Sequence, residues 1–203
     1  MTAPVTLAIE TSGQTGGVAL GRFGGEVLWQ QNFPTGPKAG GGLFAALEAG
    51  LAHGPAPAQI LVGVGPGSYA GVRLAIAAAT GLGLSLGLEP IAVPSVCAYD
   101  VEAVSFLAIG DARRGAFYYT AVDHGRCVVG PEICDERELP ERLASQLAWP
   151  VFSIEPLPGF PRARRASASA ARLLQVPAEL SLRPLEPIYL REPHITRPRS
   201  LVT

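Results

Sequence analysis

Cysteine and histidine are scarce in this chain, with three of each in 203 residues. Cys97, Cys127 and Cys134 are odd in number and form no CxxC pair, which argues against a disulfide framework or a thiolate zinc site and fits a reduced, cytoplasmic compartment. His53, His124 and His194 stand apart and none belongs to an HExxH pair, so a zinc hydrolase finds no ligands and no metal site is expected. No serine sits in a GxSxG elbow, and Cys97 has no base beside it in sequence. Nucleophilic catalysis therefore lacks support, and no catalytic residue is assigned. The formal charge of −1 supplies no basic field for a nucleic-acid backbone. Arg162, Arg164 and Arg165 form a local cluster that could touch phosphates, although a solvated loop is the commoner fate of such a run. Aromatics make up 7% of residues against 48% hydrophobic overall, which leaves the packing to Ala, Leu, Val and Gly. Long apolar runs are also missing: Leu74–Leu88 has about 15 uncharged residues where a membrane span needs about 20 strongly apolar ones. The opening MTAPVTLAIETS has no charged leader or cleavage site, so a soluble protein off the membrane is expected.

Periodicity supplies the elements. Val5–Ile9, Gly17–Phe23 and Glu26–Asn32 read as three strands in a meander, with Gly24-Gly25 suited to a primed hairpin turn that needs positive φ at both positions. A Pro/Gly-rich connection from Phe33 to Gly42 leads to Leu43, Phe44, Leu47 and Leu51, whose spacing predicts a helix ending near His53. Ile60–Val64 reads as a strand, Ala70–Leu86 as a helix and Pro90–Val93 as a strand. This βββαβαβ order predicts an α/β fold of the actin-like, ribonuclease-H-like (ASKHA) kind, with two lobes that each hold a mixed sheet and flanking helices. Ser95 caps a predicted helix to about Ala103. Strands at Phe106–Ile109, Ala116–Val122 and Arg126–Val129 start the meander again. Pro140 opens a helix to about Leu147, Val151–Ile154 is a strand, and Ala166–Leu174 a short helix. The second half thus reads as a reduced copy of the first. We divide the chain into an N-terminal lobe, 1–95, joined by the C-terminal segment 186–203, and a smaller lobe, 96–185. Recurrent proline after Val176 excludes one long helix there and predicts poor order in the last ten residues.

Three stretches could carry function. Glu10, Thr11 and Ser12 close the first strand where nucleotide-binding relatives of this architecture place an acid that works through a hydrated metal. Local satisfaction of the turn is the plainer reading. Gly65, Gly67 and Ser68 lead into a helix, so N–H groups converge on one point, but no Gly-Lys-Ser/Thr follows and Ser68 is more simply an N-cap. A vestigial phosphate loop is the most these six residues suggest. The helix after them carries Gly71, Ala75, Ala79, Gly83 and Gly87 at intervals of four, a ridge that would let another helix approach closely. Val72, Leu74, Ile76, Leu82, Leu84 and Leu86 spread apolar residues round the rest of it. A helix apolar on nearly all sides needs cover on nearly all sides. Leu43, Phe44, Leu47, Leu51, Gly71, Val72, Ala75, Ala79 and Gly83 are accordingly the candidate partner surface. Asp111 and Arg113 are expected to pair across a tight turn.

LAIETSGQTGGVAL at 7–20, VGVGPGSYAGVRLAIAAATGLGLSLGLEPIAVPSV at 62–96, AIGDARRGAFYYTAV at 108–122 and EPIYLR at 186–191 together resemble the bacterial TsaB (YeaZ) family. The resemblance implies an actin-like, two-lobed fold and a role in making threonylcarbamoyladenosine at position 37 of tRNAs that read codons beginning with A. It implies a non-catalytic partner of TsaD, the paralogue that holds metal and transfers the threonylcarbamoyl group, with the ATPase TsaE joining them. ATP and metal are then expected on the partner subunits and no cofactor on this chain, with tRNA met through the complex and a homodimer as an alternative pairing. The helices corresponding to Leu43–Leu51 and Ala70–Leu86 supply the dimerisation surface in that family. The chain departs from the usual GPGSFTG at Tyr69 and Ala70. It also has Lys38-Ala39-Gly40-Gly41-Gly42 where a His-Ser or His-Thr pair is frequent. A runner-up is an autonomous actin-fold ATPase or small-molecule kinase using Glu10 and the Gly65–Ser68 turn. A glycoprotease lacks both metal ligands and a nucleophile.

Overall fold

The computed structural model describes residues 4–22, 24–36, 39–177 and 184–190. The expected disorder of the last ten residues, together with Phe23, Lys38, Arg191 and His194, lies outside them. Two five-stranded sheets form the frame. In the first, β1 (Val5–Glu10), β2 (Thr15–Arg22) and β3 (Val27–Pro34) make an antiparallel meander, and β4 (Gln59–Gly63) and β5 (Ile91–Val93) add in parallel on the other side of β1. In the second, β6 (Ser105–Asp111), β7 (Ala116–Asp123) and β8 (Arg126–Asp135) repeat the meander, with β9 (Val151–Ser153) and β10 (Ala163–Arg165) in parallel beyond β6. The order β3-β2-β1-β4-β5 recurs as β8-β7-β6-β9-β10, so the second half does repeat the first.

The first sheet is buried on both faces at its central strand, where Leu7, Ala8 and Ile9 are all fully buried between the polar Thr6 and Glu10. Leu7 and Ile9 point to the side covered by helices α1 (Ala39–His53) and α2 (Tyr69–Leu86), while Ala8 points to a core shared with the second sheet. Full burial of Leu7, Ile9, Leu43 and Ile60 is worth about 1.5–3 kcal/mol each relative to exposure. The shared core also takes Phe106, Tyr118 and Phe152 from the second sheet, and α4 (Ala170–Leu173) packs back onto β1 and β2. On its outer face the second sheet carries α3 (Leu139–Ser145), with Leu139 and Leu143 buried. The C-terminal segment returns to the first lobe: Leu185 and Ile188 pack beside α2, and the Ile188 N–H donates to the Val64 carbonyl at 2.8 Å.

Several local expectations change. Helix α1 starts at Ala39 rather than Leu43, because Gly42 leaves room for Phe33, whose Cβ lies 3.0 Å from where a methyl would stand. Of Gly24 and Gly25 only Gly24 takes positive φ, at +70°, and the Gly25 N–H closes the turn on the Arg22 carbonyl. The helix expected from Ser95 to Ala103 is a single 3-10 turn, Ser95–Ala98. Tyr99 is extended there, bridging to Ala168, while its hydroxyl lies 3.0 Å from that of Tyr118. The helix expected over Ala166–Leu174 shortens to α4, and the arginine cluster includes the small strand β10.

Helix α2 is defined at both ends. Ser68 Oγ accepts from the Gly71 N–H at 3.3 Å, and Gly87, at φ +68°, closes the last turn onto the Gly83 carbonyl. By length and composition alone this helix could cross a bilayer, but Gly71, Val72, Ala75, Ala79 and Gly83 are buried in the protein, and the helix packs on β1 and β4. The ridge of small residues serves close approach to its own sheet. A methyl on Gly83 would stand 2.6 Å from the Leu88 carbonyl, so Gly83→Ala should destabilise. Gly81 faces open space. Gly81→Ala should therefore stabilise the isolated chain by roughly 0.5–1 kcal/mol, seen as a higher urea midpoint at unchanged m-value.

Candidate functional site

Two regions emerge around α2. At its N-terminal end the loops of both sheets enclose a cavity of about 610 Å³, lined by Ser12–Gln14, Gly65–Tyr69, Asp111–Arg113, Tyr118, Glu155 and Tyr189. Its floor is stitched together by the residues expected to form a phosphate loop. Thr11 Oγ1 donates to the Gly71 carbonyl at 2.8 Å, and the Ser68 N–H donates to the Ser12 carbonyl at 2.7 Å. Gly65, at φ +90°, donates its N–H to Ser95 Oγ at 2.9 Å. Gly67 crosses directly over Ser12, with no room for a side chain between them. Thr11 and Ser68 thus satisfy the backbone, as the plainer reading of each holds. Ser12 Oγ has no protein partner among the described residues.

Glu10 lies beneath this floor rather than in the cavity. It is fully buried. Its Oε1 accepts the Ser12 N–H at 2.6 Å, its Oε2 has no partner among the described residues, and the absent side chain of Gly63 makes the room it occupies. Burial raises its pKa above the ordinary 4.5, against the lowering effect of the bond from the Ser12 N–H. The unfolded chain therefore releases this proton at lower pH than the folded chain does. Between those two values the folded state binds more protons, so the contribution of Glu10 to stability falls as pH rises through the window and is level above it. Urea midpoints of the native chain and of Glu10→Gln, measured from pH 4.5 to 7, should diverge in that sense, with the native chain showing the extra loss. Parallel curves would refute it.

On the second lobe's side of the cavity the Asp111 N–H donates to Glu155 Oε1 at 2.5 Å, and Asp111 Oδ1 accepts the Arg113 N–H at 2.6 Å. The expected Asp111–Arg113 ion pair forms at 3.4 Å, exposed enough to contribute little. Among the described residues no group of three His, Cys, Asp or Glu side chains is placed to hold a metal.

The second region is the outer face of α1 and α2, which lie on the same side of the first sheet. The nine residues expected at a partner surface divide. Leu43, Leu47, Gly71, Val72, Ala75, Ala79 and Gly83 are buried in the chain's own core, while Phe44 is 55% exposed and Leu51 half-buried. The surface that remains outside lies round the helix from the expected ridge. Arg73, Ala77, Gly81 and Ser85 form a second, exposed row at intervals of four, and Leu84 is 82% exposed beside it. Sequence reasoning passed over this row, although Gly81 stands out of step with Gly71 and Gly83. Over both helices the only acid is Glu48 and the only arginine Arg73. That arginine is held over the Tyr69 ring, its Nη1 donating to the Tyr69 hydroxyl at 2.7 Å.

The sequence model of one family, TsaD, tRNA N6-adenosine threonylcarbamoyltransferase, matches residues 45–137, from α1 to just beyond β8. A Pseudomonas aeruginosa crystal structure described as an uncharacterized protein with similarity to peptidase YeaZ superposes with a TM-score of 0.69 at 24% identity, covering 93% of this chain and all of that one. YeaZ from the same organism gives 0.66 at 24% identity, covering 92% of this chain and again all of the other. The fold is YeaZ-like. No curated protein matches. In this YeaZ-like, actin-like fold the cavity lies between the two sheets, and the α1/α2 face lies on the side of the first sheet away from the second.

Proposed function

We propose that this chain is a TsaB-type subunit, cytoplasmic and without catalytic activity of its own, that pairs through α1 and α2 with a TsaD-like paralogue. The pairing supports the active form of that paralogue in threonylcarbamoyl transfer to adenosine 37 of tRNA. A TsaE-like ATPase joins them, ATP and metal reside on the partner subunits, and tRNA is met through the complex. The observation that carries this reading is the exposed apolar face of α1 and α2, where Phe44, Leu84 and the Ala77–Gly81 row remain uncovered with little charge among them. The YeaZ-like fold and the match to the TsaD family model agree with it. Light scattering on a mixture with a cognate TsaD tests it: a one-to-one complex at micromolar concentration is expected, and separate monomers or homodimers of this chain would overturn it.

An autonomous actin-fold ATPase or small-molecule kinase rests on the cavity of about 610 Å³ at the start of α2. Against it, the one acid of the first lobe's loop is buried under the floor and pushed toward its neutral form. Calorimetry with ATP and magnesium separates the readings, since saturable binding with turnover by the lone chain belongs to the enzyme only.

A further inference from the structure

Between the two sheets, away from both regions above, the sulfurs of Cys97 and Cys127 lie 3.4 Å apart, with both residues in the thiol form. Cys97 sits in the 3-10 turn after β5, and Cys127 near the start of β8, opposite Val122. Contact at this distance brings the sulfurs within about 1.4 Å of the separation of about 2.05 Å in a disulfide. Their separation of 30 residues hid the pair from any reading of cysteine spacing.

We propose that Cys97 and Cys127 form a reversible oxidation site, a dithiol that a small hydroperoxide converts into an intramolecular disulfide. A second cavity, of about 250 Å³, borders Cys97 beside Glu102, His124 and Arg172, so the Cys97 end of the pair also lies near solvent. Cys127, half-buried, is the more exposed residue of the two, while Cys97 is 8% exposed. The Cys127 thiol gives up its proton as its sulfur attacks the peroxide, the O–O bond breaks, and the leaving hydroxide takes that proton and departs as water, which leaves a sulfenic acid on Cys127. Cys97 then attacks that sulfur, the S–S bond forms, and a second water departs with the proton of Cys97. Two thiols are oxidised by two electrons and one hydrogen peroxide is reduced to two waters. An external thiol reverses the reaction by exchange. The bond ties the segment that follows β5 to the second sheet. Two residues before Cys97, Ser95 accepts the Gly65 N–H, so the clamp reaches the floor of the cavity at α2.

Cys134 serves as an internal control. It is 1% exposed in the outer core of the second sheet, and burial pushes its thiol pKa up. After treatment with hydrogen peroxide, thiols titrated in denaturant should fall from three to one and the mass by about 2 Da. A digest without reductant should link the peptides bearing Cys97 and Cys127, and dithiothreitol should restore all three thiols. Cys134→Ser should still lose two thiols. Cys97→Ser should instead stop at sulfenic or sulfinic acid on Cys127, a gain of about 16 or 32 Da. Three thiols persisting in the native chain would overturn the assignment. So would linkage through Cys134, linkage between chains, or over-oxidation of Cys127 in the native chain without a bond to Cys97.

Discussion

Ala77→Arg should abolish capture of a TsaD-like partner, weakening pairing roughly 100-fold or more, while leaving the thermal midpoint of the isolated chain unchanged. Ala77 lies in the exposed row of α2, one turn from Arg73 and one from Gly81. A guanidinium there is solvated in the free chain and costs nothing. In a dry seam between helices it would be buried, and Glu48 is the only acid that either helix of this chain could offer it. Truncating or creating an unpaired charge at such a place costs about 2–5 kcal/mol. The same change at Ala75, which is fully buried, should unfold the chain, so the pair of variants separates the outer face from the inner one. Retained capture by a folded Ala77→Arg chain would move the pairing surface elsewhere.

Gly63→Ala should cost roughly 2–4 kcal/mol of stability, and most of that cost should vanish in a chain that also carries Glu10→Ala. The methyl would occupy the space of the Glu10 carboxylate and would stand 2.8 Å from Ser95 Oγ. Neither group can yield easily. Glu10 is fully buried and held by the Ser12 N–H, and Ser95 Oγ is engaged by the Gly65 N–H. For a domain with a total stability of about 5–15 kcal/mol the single change is a large fraction of what there is. A double-mutant cycle in urea measures the coupling. Additive effects would mean that the methyl is accommodated by movement of β4 and not by contact with Glu10.

The order of elements was legible because the short, continuously buried runs of β1, β2 and β7, the alternation of β3 and the helical spacing of Leu43, Leu47 and Leu51 follow directly from which side chains must leave water. What periodicity could not supply was direction. Helix α2 is apolar all round, so no stripe marks its buried side, and a ridge of Gly and Ala suits contact with a sheet as well as with a partner helix. The register of β4 beside β1 decides it. Ser95 was expected to cap a helix, but Pro94 stands at the cap position, the Ser95 hydroxyl takes the Gly65 N–H, and Tyr99 is drawn off into the shared core, so the helix stops after one turn. Strand β10 has three residues and exists only through pairing with β9, a contact that nothing near Ala163 in sequence announces. The candidate site was half legible for the same reason. Thr11 and Ser68 sit at turns where short hydroxyl side chains satisfy the backbone, whereas the outer row of α2 is defined only by what the inner row covers.

The inward ridge of α2 also bears on the thermodynamics of docking. Gly71 lets the helix rest against the Thr11 carbonyl just after β1 without an intervening side chain, Gly83 makes room for the helix's own closing turn at Leu88, and Thr11 Oγ1 pins the first turn. A helix fixed in this way has little freedom to translate or roll on its sheet. Its outer row is therefore presented in one arrangement before any partner arrives, and association need not spend binding energy on ordering it. Small residues that never touch the partner would in this way raise affinity by lowering the entropy lost on pairing.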